Sequence, residues 1–253
     1  MKGRLELASV SVRFGDRSAL RELDLTTEPG ETLALLGASG SGKTTTLRLL
    51  NGLQAPTSGA VRLDDRELTE RSSADLRQVR SRIGFVPQQL ALMPNVSVLA
   101  NVLAGALGRR GQLAALRSWL LPTRDDEEQV HALLERLGIG DLLYQRVDRL
   151  SGGQQQRVAV ARALFQEPRV LLADEPVSSV DPARARDLLE LLLELADERG
   201  FALVASLHDH GLARELFPRL VGLSEGRLVF DAPAADVSDE TLATLHDLAG
   251  ARA

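Results

Sequence analysis

The stretch Thr32-Leu-Ala-Leu-Leu-Gly-Ala-Ser-Gly-Ser-Gly-Lys-Thr-Thr-Thr-Leu-Arg-Leu-Leu-Asn51 decides how the rest of the chain is read. Its first five residues form an apolar run that reads as a buried strand. Over residues 44–51, Leu47 and Leu50 fall on one face of a helix that Gly52 stops. Between the two, Gly37, Gly40 and Gly42 let the backbone curl with its N–H groups inward, an anion nest at a helix N-terminus. Lys43 is one of two lysines among 30 basic residues, the other being Lys2. A compact ammonium enters the mouth of such a loop where a planar guanidinium would not fit. Strand, loop and helix therefore read as a site for nucleotide phosphates, with the Thr44 hydroxyl as a ligand for Mg²⁺.

Upstream, residues 5–12, the pair Gly15-Asp16 and the pair Pro29-Gly30 alternate apolar runs with turn signals, as strands do at the start of a domain. Downstream, leucine and alanine recur at helical spacing from 90 to 150, as at Val130, Leu133, Leu134 and Leu137 before Gly138, and a helical insert is expected over 89–150. Apolar runs at 170–173, 202–207 and 220–223 then alternate with a helix expected over Pro182 to Arg199. That alternation implies an α/β fold with a mostly parallel sheet. Residues 1–253 are read as one domain, whose core is built from 1–88 and 151–253.

With 44% hydrophobic and 26% charged residues, the composition is that of an ordinary globular protein. Aromatic residues make up only 3%, so leucine, valine and alanine must fill the core. A net charge of -5 speaks against a nonspecific duplex-DNA binder, and no nucleic-acid partner is expected. The absence of cysteine excludes disulfides, thiolate metal sites and cysteine nucleophiles. No signal-peptide pattern opens the sequence, and nowhere do about 18 apolar residues run together. A role at a membrane would need other chains to span it.

Two further motifs carry chemistry. Val170-Leu-Leu-Ala-Asp-Glu-Pro176 ends an apolar strand in two carboxylates. Successive strand residues face opposite ways, so Asp174 and Glu175 are expected to do different jobs. Asp174 suits the surroundings of Mg²⁺, and Glu175 could polarise the water that attacks a γ-phosphate. The string Leu150-Ser-Gly-Gly-Gln-Gln-Gln-Arg157 precedes a helix with Val158, Ala161 and Phe165 on one face. Ser151 and the glycine N–H groups there make a second anion site. The same string also suits an ordinary serine helix cap.

In this order, the motifs resemble those of the ATP-binding subunits of ATP-binding cassette transporters, over nearly the whole chain. Residues 37–44 are similar to the family's Walker A loop, 150–154 to its signature, and 171–175 to its Walker B strand with the catalytic glutamate. Gln88, in Gly84-Phe-Val-Pro-Gln88, resembles the Q-loop glutamine that reaches Mg²⁺ and the attacking water. Asp181, in Ser178-Ser-Val-Asp181, resembles the D-loop aspartate, with Val180 in place of the more usual leucine. His208, in Ser206-Leu-His-Asp209, resembles the switch histidine near the γ-phosphate. Phe14 stands where the family stacks an aromatic ring on adenine, usually tyrosine; the π-face is kept and the hydroxyl is lost. His210 has no family counterpart and reads as structural.

The resemblance implies a P-loop NTPase fold with a mostly parallel core sheet, an N-terminal antiparallel β subdomain and a helical insert. ATP and Mg²⁺ would be held by Gly37, Ala38, Ser39, Gly40, Ser41, Gly42, Lys43, Thr44 and Thr45, with Phe14 on the adenine. Thr44, Gln88 and Asp174 would contact the metal, and Glu175, His208, Gln88 and Lys43 would carry hydrolysis. A head-to-tail dimer follows from the resemblance, each ATP closed over by Ser151, Gly152, Gly153, Gln154 and Asp181 of the second ATPase subunit. Implied partners are transmembrane permease subunits and, indirectly, an extracytoplasmic solute-binding protein, with the chain peripheral on the cytoplasmic face of the inner membrane. The permease is expected at residues 90–99, an apolar stretch that core packing would explain equally well. Residues 96–105, the insert through Arg117-Ser-Trp119, Tyr144-Gln-Arg146 and residues 206–214 are most similar to phosphonate importer ATPases, a subfamily that also handles phosphite and related oxyanions. Other importers, single-cassette ATPases of cell division and P-loop kinases share parts of the pattern. A kinase has no use for a second γ-phosphate site at Ser151 and Gly153.

Overall fold

The computed structural model describes residues 3–64, 66–68, 73–109, 117, 119–178 and 181–250. The first part of the chain forms β1 (Leu5–Phe14), β2 (Arg17–Thr27), β3 (Thr32–Leu36), α1 (Lys43–Leu50), β4 (Ser58–Leu63), β5 (Arg66–Glu67), α2 (Ser73–Arg80) and β6 (Ile83–Val86). Helices follow: α3 (Val98–Leu103), α4 (Arg124–Arg136) and α5 (Gly152–Phe165). Then come β7 (Val170–Asp174), α6 (Pro182–Arg199), β8 (Ala202–Ser206), α7 (His210–Leu216), β9 (Arg219–Ser224), β10 (Arg227–Pro233) and α8 (Asp239–Gly250).

The strands make two sheets. One is antiparallel with the order β2-β1-β4-β5. The other has six strands in the order β10-β9-β3-β8-β7-β6, parallel except for β10 at its edge. Every residue of β7 and β8 is buried, as parallel strands covered on both faces require. Their alternate residues divide between two cores. Ala34, Leu36, Leu171, Ala173, Leu203 and Ala205 pack with α3, α4, α5 and α6, whereas Leu33, Leu35, Val170, Leu172, Ala202 and Val204 pack with α1 and the antiparallel sheet.

The helical periodicity is realised. Val130, Leu133, Leu134 and Leu137 are all buried, and Gly138 ends α4 at φ +67°. The capping box of Thr123 and Asp126 fixes its start. In the stretch 90–99, helix α3 begins after its cap Ser97 and carries Val98 and Leu99 into the core. Leu90 and Leu92 pack half-buried against that core. Backbone bonds tie the segment down: Arg162 donates to the carbonyls of Leu90 and Ala91, each at 2.6 Å, and buried Asn101 pairs with both backbone groups of Met93. Ser118, Ser179 and Val180, which belong to strings read above, lie outside the described residues. Among the described residues no helix is long and apolar enough to cross a membrane.

Candidate active site

Ser97, Thr123, Ser151, Asp181 and Asp209 each cap a helix with a side-chain oxygen. Helix α1 instead begins at Gly42, with φ 113° and no side-chain cap. Its first N–H groups have no intrahelical partner. Gly42, Lys43, Thr44 and Thr45 line a cavity of about 440 Å³, together with Ser39, Gly40, Phe14, Arg17, Ala19, Gln88 and Glu175. The loop must be glycine at its tightest points. A Cβ on Gly42 would lie 2.6 Å from the Leu20 side chain, and one on Gly37, at φ 143°, would strike the Leu223 carbonyl.

Gly37, Ala38 and Ser41 do not line this cavity. The first two turn their carbonyls to Lys43, whose Nζ donates to Gly37 O at 2.6 Å and Ala38 O at 3.1 Å. Lys43 is 5% exposed. That burial lowers its pKa, against the opposing pull of the Glu175 and Asp174 carboxylates. Its ammonium is thus held by the carbonyls of the loop at the wall of the cavity. Ser41 packs under the loop, and its N–H donates to Ala38 O.

The two carboxylates of the Walker B-like strand separate as expected, but through a turn rather than through strand alternation. Asp174, buried at the end of β7, accepts at Oδ1 from Thr44 Oγ1 at 3.2 Å and from Ser206 Oγ at 2.9 Å. Glu175 leaves the strand with left-handed backbone, φ 52°. That turn brings its Oε2 to Gln88 Nε2 at 2.7 Å and its Oε1 to His208 Nε2. The Glu175 side chain is 11% exposed, that of His208 49%. A carboxylate fixed at both oxygens beside a phosphate-type loop can orient a water molecule and take up its proton. His208 also lines a neighbouring, largely apolar cavity of about 170 Å³ with Glu175 and Ser206.

Ser151, Gly152, Gly153 and Gln154 are absent from the lining of the nucleotide-sized cavity, as is Asp181. Ser151 caps α5 in a capping box: its Oγ accepts the Gln154 N–H at 3.4 Å, and Gln154 Oε1 accepts the Ser151 N–H at 2.9 Å. Asp181 caps α6 through the Arg184 N–H at 3.1 Å. The chain therefore gathers Phe14, the glycine loop, Gln88, Asp174, Glu175 and His208, and leaves the signature-like helix start apart from them.

Sequence reading missed Arg17, Ser206 and Gln156. Arg17 pairs with Phe14 across the tip of the β1–β2 hairpin, so the same turn brings both to the cavity. Ser206 is the one polar residue of the apolar strand β8, directly opposite Asp174 in register. Gln156, buried on α5, donates to the carbonyls of Glu175 and Pro176.

Residues 20–178 match the family model described as ABC transporter. The phosphonates import ATP-binding protein PhnC of Frankia casuarinae is 45% identical over 243 residues, covering 95% of this chain and 94% of the relative. Its counterpart in Thiobacillus denitrificans is 40% identical over 247 residues, covering 97% and 93%. A bacterial ABC transporter cassette solved as a dimer superposes with a TM-score of 0.81 at 30% identity, covering 91% of this chain and 98% of that one. A dimeric ATP-binding cassette in a post-hydrolysis state, bound to ADP and Pi, gives 0.75 at 31% identity over the same shares. With a capless helix that opens on a buried lysine, two separated carboxylates and these relatives, the chain belongs to the ABC transporter family, as an ATP-hydrolysing cassette.

Proposed function

We propose that this chain is the ATPase subunit of an importer for phosphonate or a related phosphorus oxyanion. One observation carries the reading: the open first turn of α1, with Lys43 and Thr44, meets Glu175 in one cavity while Thr44 reaches buried Asp174 behind it, in a chain 40% to 45% identical to relatives named as phosphonates import ATP-binding proteins. The adenine stacks on Phe14, and the phosphates lie over the N–H groups of the loop with Lys43 beneath them. Residues 1–88 and 151–253 act as the nucleotide-binding core, and 89–150 as the helical insert.

Thr44 Oγ1, Asp174 Oδ1 and the Gln88 carboxamide are hard oxygen donors that suit Mg²⁺. Among the described residues no cluster of three His, Cys, Asp or Glu is present, so phosphate oxygens would complete such a shell. Mg²⁺, when bound, neutralises charge on the phosphates. Glu175 orients the water in line with the γ-phosphorus and accepts its proton, while Gln88 and His208 hold the carboxylate. The loop covers the γ-phosphate from one side only. A second subunit, a copy of this chain, closes the other side with the partner subunit's Ser151 and Gly153 and with Asp181 and Gln154 nearby.

Transport needs permease chains that span the membrane, with this subunit peripheral on the cytoplasmic face and a solute-binding protein outside. The permease docks along residues 90–96 and the adjoining groove of about 390 Å³ lined by Arg77, Arg80, Phe85 and Arg162. Deleting the gene in its host should abolish growth on phosphonate as sole phosphorus source; unchanged growth on phosphonate, phosphite and phosphate alike would remove the substrate assignment. The catalytic half is tested separately: Glu175→Gln should stay dimeric with ATP in size-exclusion chromatography, and finding only monomer would contradict it.

A further inference from the structure

Glu175 sits at φ 52°, a backbone region that L side chains disfavour, and side chains outside the nucleotide cavity hold it there. Ser206 Oγ accepts the Glu175 N–H at 2.9 Å and donates to Asp174 Oδ1 at 2.9 Å. A hydroxyl has one proton, and here the amide gives to it while the carboxylate receives from it, so both bonds form at once. Ser206 is 0% exposed and reaches Asp174 directly across the β7–β8 register. On the other side of the turn, Gln156 donates to the carbonyls of Glu175 and Pro176. The left-handed peptide is thus held at both its N–H and its C=O.

We propose that Ser206 is a positioning residue for ATP hydrolysis, its hydroxyl locking the turn at Glu175 to the carboxylate of Asp174. The carboxylate that orients water and the carboxylate beside Thr44 are then held as one rigid unit. The proposal rests on the reading of Glu175 as the water-orienting group. Ser206 does not line the nucleotide cavity, so it acts through its two neighbours and not on ATP itself. Without the hydroxyl, the partly buried Glu175 N–H loses its partner, and the turn is free to relax toward strand geometry. The carboxylate then swings away from Gln88 and His208, while the glycine loop keeps its grip on the phosphates.

Steady-state ATP hydrolysis by the wild type, Ser206→Ala and Ser206→Thr, with thermal unfolding in parallel, tests this. Ser206→Ala should lose about ten- to a hundredfold in kcat, with KM for ATP within about twofold. Ser206→Thr, which keeps the hydroxyl, should recover most of that loss. Wild-type kcat in Ser206→Ala, a KM that rises as kcat falls, or no recovery in a folded Ser206→Thr would each overturn the proposal. If Ser206→Ala fails to fold, Ser206→Cys, similar in shape with a weaker donor and acceptor, takes its place with a smaller expected loss. Glu175→Gln, run alongside, separates the two ideas. Turnover in Glu175→Gln removes the underlying reading of Glu175; an inactive Glu175→Gln beside a fully active Ser206→Ala removes only the role of Ser206.

Discussion

Two helices in this chain begin with glycine-containing strings suited to phosphate, and they begin differently. Helix α1 opens at Gly42 without a side-chain cap, and its first turn lines the cavity. Helix α5 opens at Ser151 inside a closed capping box with Gln154. An uncapped start keeps its N–H groups for a ligand, whereas a capped one has already paired some of them. On the proposed mechanism this difference sets an order of events. The glycine loop takes a nucleotide unaided, and the signature engages a γ-phosphate only when another chain presents one that can replace its own cap.

The largest effect is expected at the start of α1. Lys43→Ala should abolish ATP-driven dimer closure and lower turnover on the order of a hundredfold or more, measured by size-exclusion with ATP and by phosphate release. A variant that still closes on ATP would show that the buried ammonium is dispensable. Next comes Gly153→Asp, which puts a carboxylate where a γ-phosphate would approach α5. Acidic residues suit the first turn of a helix, so folding is kept. Calorimetric ATP affinity should stay within about twofold while turnover falls on the order of a hundredfold; weakened ATP binding in the isolated chain would mean that the two helix starts are not independent.

Ser151→Ala removes the cap and should cost about 1 kcal/mol in urea unfolding. The equivalent change at α1 has no counterpart, because no side chain caps it. Smallest is a pH effect. Burial holds the Lys43 pKa below 10.5 in the folded protein, so the unfolded chain binds this proton more tightly. The resulting penalty on folding is full below the lowered pKa and fades as pH rises from there toward 10.5. Lys43→Met has no such titration. In urea unfolding the wild type should therefore gain stability relative to Lys43→Met as pH rises across that window, and a relative loss would contradict the burial of an ammonium there.

Legibility in the sequence followed burial and contiguity. Strands β3, β7 and β8 could be read because both their faces are covered, which leaves unbroken apolar runs. Strand β10 could not: it is an edge strand with every one of its residues exposed or half-buried. Short β6 contains Gly84, where a Cβ would come within 3.0 Å of the Ala163 carbonyl on α5. Helix α6 was readable to the residue because Asp181, Pro182 and Gly200 mark both its ends. In the site, the glycine loop and the Asp174-Glu175 pair lie in contiguous strings. Arg17 and Ser206 acquire their positions from a hairpin tip and a cross-strand register, and no local pattern announces either.

On the proposed mechanism the catalytic site is composite, made of the loop of one chain and the signature of another. Mixing Lys43→Ala with Gly153→Asp tests this, each variant by itself being expected to retain on the order of a hundredth of the wild-type turnover or less. In mixed dimers one site pairs the intact loop of the Gly153→Asp chain with the intact signature of the Lys43→Ala chain. ATP turnover should therefore reappear on mixing and rise with the fraction of mixed dimer. Turnover that stays at the level of the separate variants, with mixed dimers demonstrably formed, would contradict a shared site.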